Sequence, residues 1–204
     1  MAKLSLLFLL LGSLCAIGQN PPSLDLYTSA RYYFSFAYPD TYDLLEGNGI
    51  FKRTQGRHAG IPACDLLTTI ACVIYPDDNP QDPSFEAAAF SVNDISKGAT
   101  EEDCLAFADQ LPSPGDDHLA TEPVRLNGQL FRYASTTTTP ASHSQFAQRY
   151  RSFHKERCIE LRIATSLSDV DPAQSPAKKV LDNEDARKAH RSLELILNSF
   201  VFAN

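Results

Sequence analysis

"QFAQRYRSFHKERCIELRIAT", Gln145 to Thr165, decides the fold. Two alternating runs, Gln145 to His154 and Arg157 to Thr165, meet at Lys155-Glu156. Centring a turn on that pair predicts an antiparallel hairpin. It sets Tyr150 opposite Leu161, Ser152 opposite Ile159, Arg151 opposite Glu160 and Phe153 opposite Cys158. Strand side chains alternate between faces, so one face of this hairpin is apolar. The other carries Arg149, Arg151, Glu160 and Arg162.

Arg149, Arg151 and Arg162 form the candidate anion or partner patch, because guanidinium forks suit carboxylates, phosphates and acidic partners. A plainer reading competes with that one. Arg151 pairs with Glu160 across the strands, and the other two lay their aliphatic stems over apolar surface. On sequence grounds the plainer reading is preferred.

Working outward, "EPVRL" and "QLFRY" flank Asn127-Gly128, a two-residue hairpin signal that places Val124 opposite Phe131. Thr136 to Ser144 reads as a loop tip between the two hairpins. Upstream, Phe85 to Ile95 and Leu66 to Tyr75 read as strands, joined by the turn-rich "PDDNPQDP" of Pro76 to Pro83. Near the N-terminus, Gln19 to Leu24 reads as a polar joint. Tyr33 to Tyr38 then alternates as a strand with Phe34 and Phe36 on one face, and Pro39-Asp40 ends it. This opening piece is expected to be the leading edge of the sheet. Tyr42 to Leu45 resumes apolar character, Gly47 to Gly49 turns, Ile50 to Lys52 is a short strand and Gln55 to Pro62 a loop.

Two helices interrupt the strands. "TEEDCLAFADQL" has Thr100 as cap, acidic residues in the first turn and Asp103 at the third position. Pro112 and Pro114 are expected to stop it, with Cys104, Leu105 and Ala108 on its docking face. After a polar linker, Ser166 to Lys179, Asn183 caps a second helix with Leu193, Ile196 and Leu197 on one side. Ser199 to Phe202 closes as a short strand. The sum is α+β: a mostly antiparallel sheet packed with two main helices.

The chain has 204 residues, enough for one ordinary domain. Lys3 followed by the apolar run Leu4 to Leu14, with Ala16 and Gly18 after it, reads as a secretory signal cleaved behind Gly18. That leaves residues 19–204 as a single exported domain, secreted or periplasmic. The run is shorter than the roughly 20 apolar residues of a spanning helix. Cys15 raises a lipoprotein alternative, yet Gly12 and Leu14 stand the wrong way round for a lipobox.

Cleavage leaves Cys64, Cys72, Cys104 and Cys158, an even number in an exported chain, which suggests disulfides. Cys64 with Cys72 clips a short loop. Cys104 with Cys158 then closes a loop of about 54 residues, near 4 kcal/mol by loop entropy. Free buried cysteines are the alternative. Zinc is disfavoured because no C-x-x-C or clustered histidine accompanies them.

The net charge of −7 and the absence of a Lys/Arg cluster speak against nucleic acid as a partner. No basic amphipathic helix suggests a membrane surface, and stable membrane insertion is not expected. No G-x-S-x-G, H-E-x-x-H, P-loop or G-x-G-x-x-G occurs, so no catalytic residue, metal or cofactor is assigned. Asp77, Asp78, Asn79 and Asp82 offer oxygen ligands but lack the glycine and distal glutamate of an EF-hand loop. Asp116 and Asp117 beside His118, and His143 beside Ser144, are adjacent pairs that do not ordinarily face each other.

Three places, "FSFAYPDTY", the hairpin "QFAQRYRSFHKERCIELRIAT" and the helix running into "LNSFVF", together resemble the PsbP-like family. That family is named for the extrinsic subunit of photosystem II and includes a nuclear-import factor that binds the GTPase Ran. The resemblance covers most of the mature chain and implies a PsbP-like α/β sandwich acting in binding or assembly rather than catalysis. The chain departs from the family in its four mature cysteines and in Tyr42, where a tryptophan is usual. No family functional residue carries over. The expected role is a non-enzymatic binding or assembly domain of the cell envelope with a protein partner. The alternatives are a hydrolase-type enzyme with an unrecognised site and a carrier of a small apolar ligand.

Overall fold

The structure, a computed structural model, describes residues 23–46, 64, 68–76, 80–96, 99–106, 123–138, 143–168 and 182–203. Along the chain these form β1 (Leu24–Ser29), β2 (Phe34–Pro39), β3 (Asp43–Glu46), β4 (Thr69–Ile74) and β5 (Phe85–Asp94). They continue as α1 (Glu101–Leu105), β6 (Pro123–Leu126), β7 (Gln129–Thr138), β8 (Ser144–His154), β9 (Arg157–Leu167), α2 (Glu184–Ser199) and β10 (Val201–Phe202). The larger sheet has seven strands in the order β3-β4-β5-β9-β8-β7-β6, and the smaller has three, β1-β2-β10. Every neighbouring pair is antiparallel. The α+β class read from the sequence is the one observed.

The deciding hairpin pairs as its centred turn requires: Tyr150 with Leu161, Arg151 with Glu160, Ser152 with Ile159 and Phe153 with Cys158. Lys155 (φ +46°) and Glu156 (φ +62°) are both left-handed, the geometry that matches a two-residue turn to strand twist. Neither is glycine, so each carries a penalty of roughly 1 kcal/mol. Lys155 offsets part of it by placing its ammonium 3.9 Å from the centre of the Tyr33 ring. The second hairpin turns at Asn127 (φ +47°) and Gly128 (φ +84°), with Val124 opposite Phe131. Here the Asn127 amide also donates to the carbonyls of Asn198 and Phe200, both at 2.8 Å, and so ties the turn to the end of α2.

One face of the large sheet carries Phe90, Val92, Phe131, Ile159, Leu161 and Ile163, and it buries the apolar stripe of α2. Ala186, Ala189, Leu193, Ile196 and Leu197 make that stripe. Asn183 caps the helix by accepting from the Ala186 N–H at 2.9 Å. The small sheet closes the same core through Phe34 and Phe36, which meet Phe200 and Phe90 with ring centres 5.3 Å apart in both pairs. Ser199 fastens the layers. Its hydroxyl accepts from the Ala37 N–H at 2.9 Å and donates toward the Ala37 and Ile196 carbonyls.

Four expectations need correction. Gln19 to Leu24 is not simply a joint, because β1 begins at Leu24. Its alternation is inverted, with Leu24 and Leu26 outward and only Tyr27 and Ser29 turned in, so its pattern gave no buried apolar stripe. The opening piece is therefore not a leading edge, since β2 is the central strand of its own sheet. Thr136 to Thr138 extend β7 rather than forming a loop, since they pair with Ala147 to Gln145. Helix α1 spans only Glu101–Leu105, although its capping box is complete, with Thr100 and Asp103 bonding each other's backbone N–H. The chain leaves the helix at Ala106, whose N–H still bonds the Glu102 carbonyl. The expected turn at 47–49, strand at 50–52, loop at 55–62, prolines 112 and 114, and most of the 166–179 linker lie outside the described residues.

Candidate functional site

Strand alternation and the pairing register place a polar belt on the other face of the large sheet. One rung runs Cys72, Ser91, Arg162, Arg149, Ala134 across β4, β5, β9, β8 and β7. The next runs Asn93, Glu160, Arg151, Arg132. The three candidate arginines are thus brought together, and Arg132, which sequence reasoning passed over, joins them. The Asn127-Gly128 turn placed it on a strand, but the β7–β8 register that sets it directly opposite Arg151 was not legible with 136–144 read as a loop.

Glu160 is the anchor. Its side chain is only 4% exposed, and it receives Arg151 Nε at 2.7 Å and Arg149 Nε at 3.3 Å. Burial lowers the Arg151 pKa, and Glu160 pushes it back up. A neighbouring chain of bonds, Thr69 to Asn93 at 2.7 Å and Asn93 to Ser91 at 3.0 Å, keeps the belt satisfied toward β4. The cross-strand pairing of Arg151 with Glu160 favoured from sequence is therefore present, but it is incomplete as an account. Both contacts to Glu160 run through Nε, and the terminal nitrogens of Arg149 make no hydrogen bond to any described residue. Arg132, half-buried, has no carboxylate beside it among the described residues. Arg149 faces Arg162 directly, and Arg132 faces Arg151. Like charges directly opposite destabilise a sheet, so this belt carries a cost that apolar packing does not explain.

Both disulfides close onto this same face. The structure joins Cys64 to Cys72 and Cys104 to Cys158, spanning 8 and 54 residues. Cys72 and Cys158 belong to the belt's face by alternation, and all four cysteines are buried.

The histidines fall elsewhere. His118, Asp116, Asp117 and the candidate oxygen ligands Asp77, Asp78 and Asn79 lie outside the described residues. Asp82 uses its carboxylate on the Ser84 N–H and hydroxyl. His143 meets Glu86 at 2.8 Å on the surface, not Ser144. His154 lines a cleft of about 300 Å³ between the Asn127-Gly128 turn and β10, stacked on Phe202, and no carboxylate lines that cleft. His190 has a carboxylate, Glu194, at 3.5 Å but packs over Phe146. Burial lowers the pKa of both histidines. The cleft and the His–Glu pair are thus separate places. Among the described residues no group of three His, Cys, Asp or Glu side chains is placed to hold a metal ion. No described helix is long and apolar enough to cross a membrane.

No protein-family model matches this sequence, and no curated protein matches it. Among solved structures the chain is similar to LpqN of Mycobacterium tuberculosis, described as involved in cell envelope biogenesis. The identity is 11% and the TM-score 0.42, over 91% of this chain and 87% of LpqN. It is also similar to the cyanobacterial PsbP (CyanoP) of Synechocystis sp. PCC 6803, at 14% identity and TM-score 0.38, over 94% of this chain and 98% of that one. A PsbP is thus among the structures it is similar to.

Proposed function

We propose that this chain is an exported, non-enzymatic binding domain of the cell envelope whose arginine belt takes an anionic group of its partner. The observation that carries the reading is the make-up of the belt: Arg149 and Arg151 share the buried Glu160, the terminal nitrogens of Arg149 bond no described residue, and Arg132, opposite Arg151, has no carboxylate beside it among the described residues. A phosphate or carboxylate seated between Arg132 and Arg149 relieves two like-charge pairings and engages donors that no described residue uses. Export after cleavage behind Gly18 accords with two buried disulfides, which persist in oxidising compartments. A carrier role is less well supported, because the space between sheet and α2 is filled by Phe34, Phe36, Phe90, Phe131 and Phe200.

The test is titration of the mature chain with inorganic phosphate, followed through the arginine Nε–Hε signals and repeated for Arg149→Gln and Arg132→Gln. The expected result is saturable, salt-sensitive binding that perturbs Arg149 and is lost in both variants, while the thermal unfolding of Arg132→Gln is unchanged. Absence of saturable binding, or binding that survives both substitutions, refutes the reading.

A further inference from the structure

The sheet edges are not equally guarded. The large sheet ends in β6, with Pro123 and Arg125, and in β3, with Asp43 and Glu46. Charges and proline are the usual devices that stop an edge strand from pairing. In the small sheet β10 is only two residues long. β1 is different. It is six residues long, contains no proline, lysine or arginine, and exposes Leu24 at 61% and Leu26 at 71%.

Hydrogen bonds at two places fix which way its backbone points. The Asp40 N–H donates to the Ser23 carbonyl, so Ser23 faces β2, and by alternation so do Asp25, Tyr27 and Ser29. On β2, the Ala37 N–H and carbonyl are both taken by Ser199 on the side away from β1. Ala37 is the partner of Leu26, so Leu26 likewise turns its backbone away from β2. The N–H and C=O groups of Leu24, Leu26 and Thr28 therefore point off the side of β1 that no described strand covers. Leu24 and Leu26 also present their side chains on the outer face, beside Ala37 and Pro39.

We propose that β1 pairs with β1 of a second copy of this chain, antiparallel about a two-fold axis through Leu26. The proposal does not depend on the arginine belt. Of the registers this backbone permits, the one centred on Leu26 uses every outward group. Leu26 exchanges both bonds with its twin, and Leu24 exchanges both with Thr28 of the other copy. It places Asp25, the only charge on the strand, across from Tyr27 of the other copy instead of its own twin. The two leucine rows then join into one apolar strip along a continuous six-stranded sheet. A single strand segment is its own complement here, which is what an isologous interface requires.

Sedimentation of the mature chain from about 1 μM to about 1 mM tests this across the affinities such an edge interface reaches. The expected result is a monomer–dimer equilibrium abolished by Leu26→Lys and by Leu26→Pro. Proline there removes only an outward N–H and leaves the β1–β2 ladder intact. Should either variant fail to fold, hydrogen exchange on the unmodified chain decides. The amides of Leu24, Leu26 and Thr28 gain protection as concentration rises, while those of Asp25 and Tyr27 are protected throughout. A monomer at all concentrations overturns the proposal, as does a dimer that persists in both folded variants or whose protection falls elsewhere.

Discussion

Replacing Glu160 with glutamine is the sharpest perturbation of the belt. Glutamine keeps the shape and one acceptor oxygen but removes the buried carboxylate charge that Arg149 and Arg151 share. The two arginine side chains are 24% and 16% exposed, so water screens them only partly. Removing one partner of a buried pair typically costs about 3–5 kcal/mol, because a charge is left without compensation. Residual exposure and the retained amide oxygen place Glu160→Gln at the lower end, about 3 kcal/mol. For a domain of this size that lowers Tm by roughly 6–12 °C. The assay is reversible thermal or urea unfolding with the disulfides oxidised, in chloride and then in phosphate at equal ionic strength. Phosphate is expected to recover part of the lost stability in the variant and less in the parent, because it supplies the missing negative charge. A loss below about 1 kcal/mol refutes the claim that Glu160 anchors the belt, since that is the range of a solvent-screened pair. Equal effects of the two salts refute the anion-binding half of the reasoning.

Three further outcomes follow from other parts of the structure. Removing the long staple by Cys104→Ala with Cys158→Ala is expected to cost about 4 kcal/mol, against about 2.5 for the Cys64–Cys72 pair, by the entropy of closing 54 and 8 residues. Denaturant midpoints would show the order, and a larger loss from the short loop would contradict it. Thr165 is fully buried and its hydroxyl has no hydrogen-bond partner among the described residues, so Thr165→Val is expected to stabilise by about 1 kcal/mol, and a destabilised variant in thermal melts would refute this. His154 and His190 titrate below the ordinary 6.5 in the folded state because burial disfavours their charged forms. The unfolded chain therefore binds more protons, so stability is full above pH 6.5 and falls as pH drops below it. His190→Gln should flatten that slope in pH-dependent melts, and an unchanged slope would exclude His190 from it.

The β8–β9 hairpin is legible in the sequence because alternation and a two-residue turn are local: fixing Lys155-Glu156 fixes every pair between Ser144 and Leu167. The caps Thr100 and Asn183 are local in the same sense, since a side-chain oxygen reaches an N–H three residues on. That locality is also why the three candidate arginines could be placed on one face from the sequence. The count of carboxylates opposing them could not, because Arg132 reaches the belt only through β7–β8 pairing and Asn93 only through β5–β9. β1 escaped notice for the opposite reason: its leucines face outward, so its identity rests on the ladder with β2 and not on a buried pattern.

The sequence by itself determined the α+β class and both hairpin registers, because each depends on neighbours along the chain. Tertiary structure alone decided that the opening strands form a second sheet, that Glu160 is shared by two arginines, and that one side of β1 is left without a partner strand among the described residues. Those depend on which distant strands lie side by side, and strand order is set by the long-range burial of one apolar core, which no local pattern encodes.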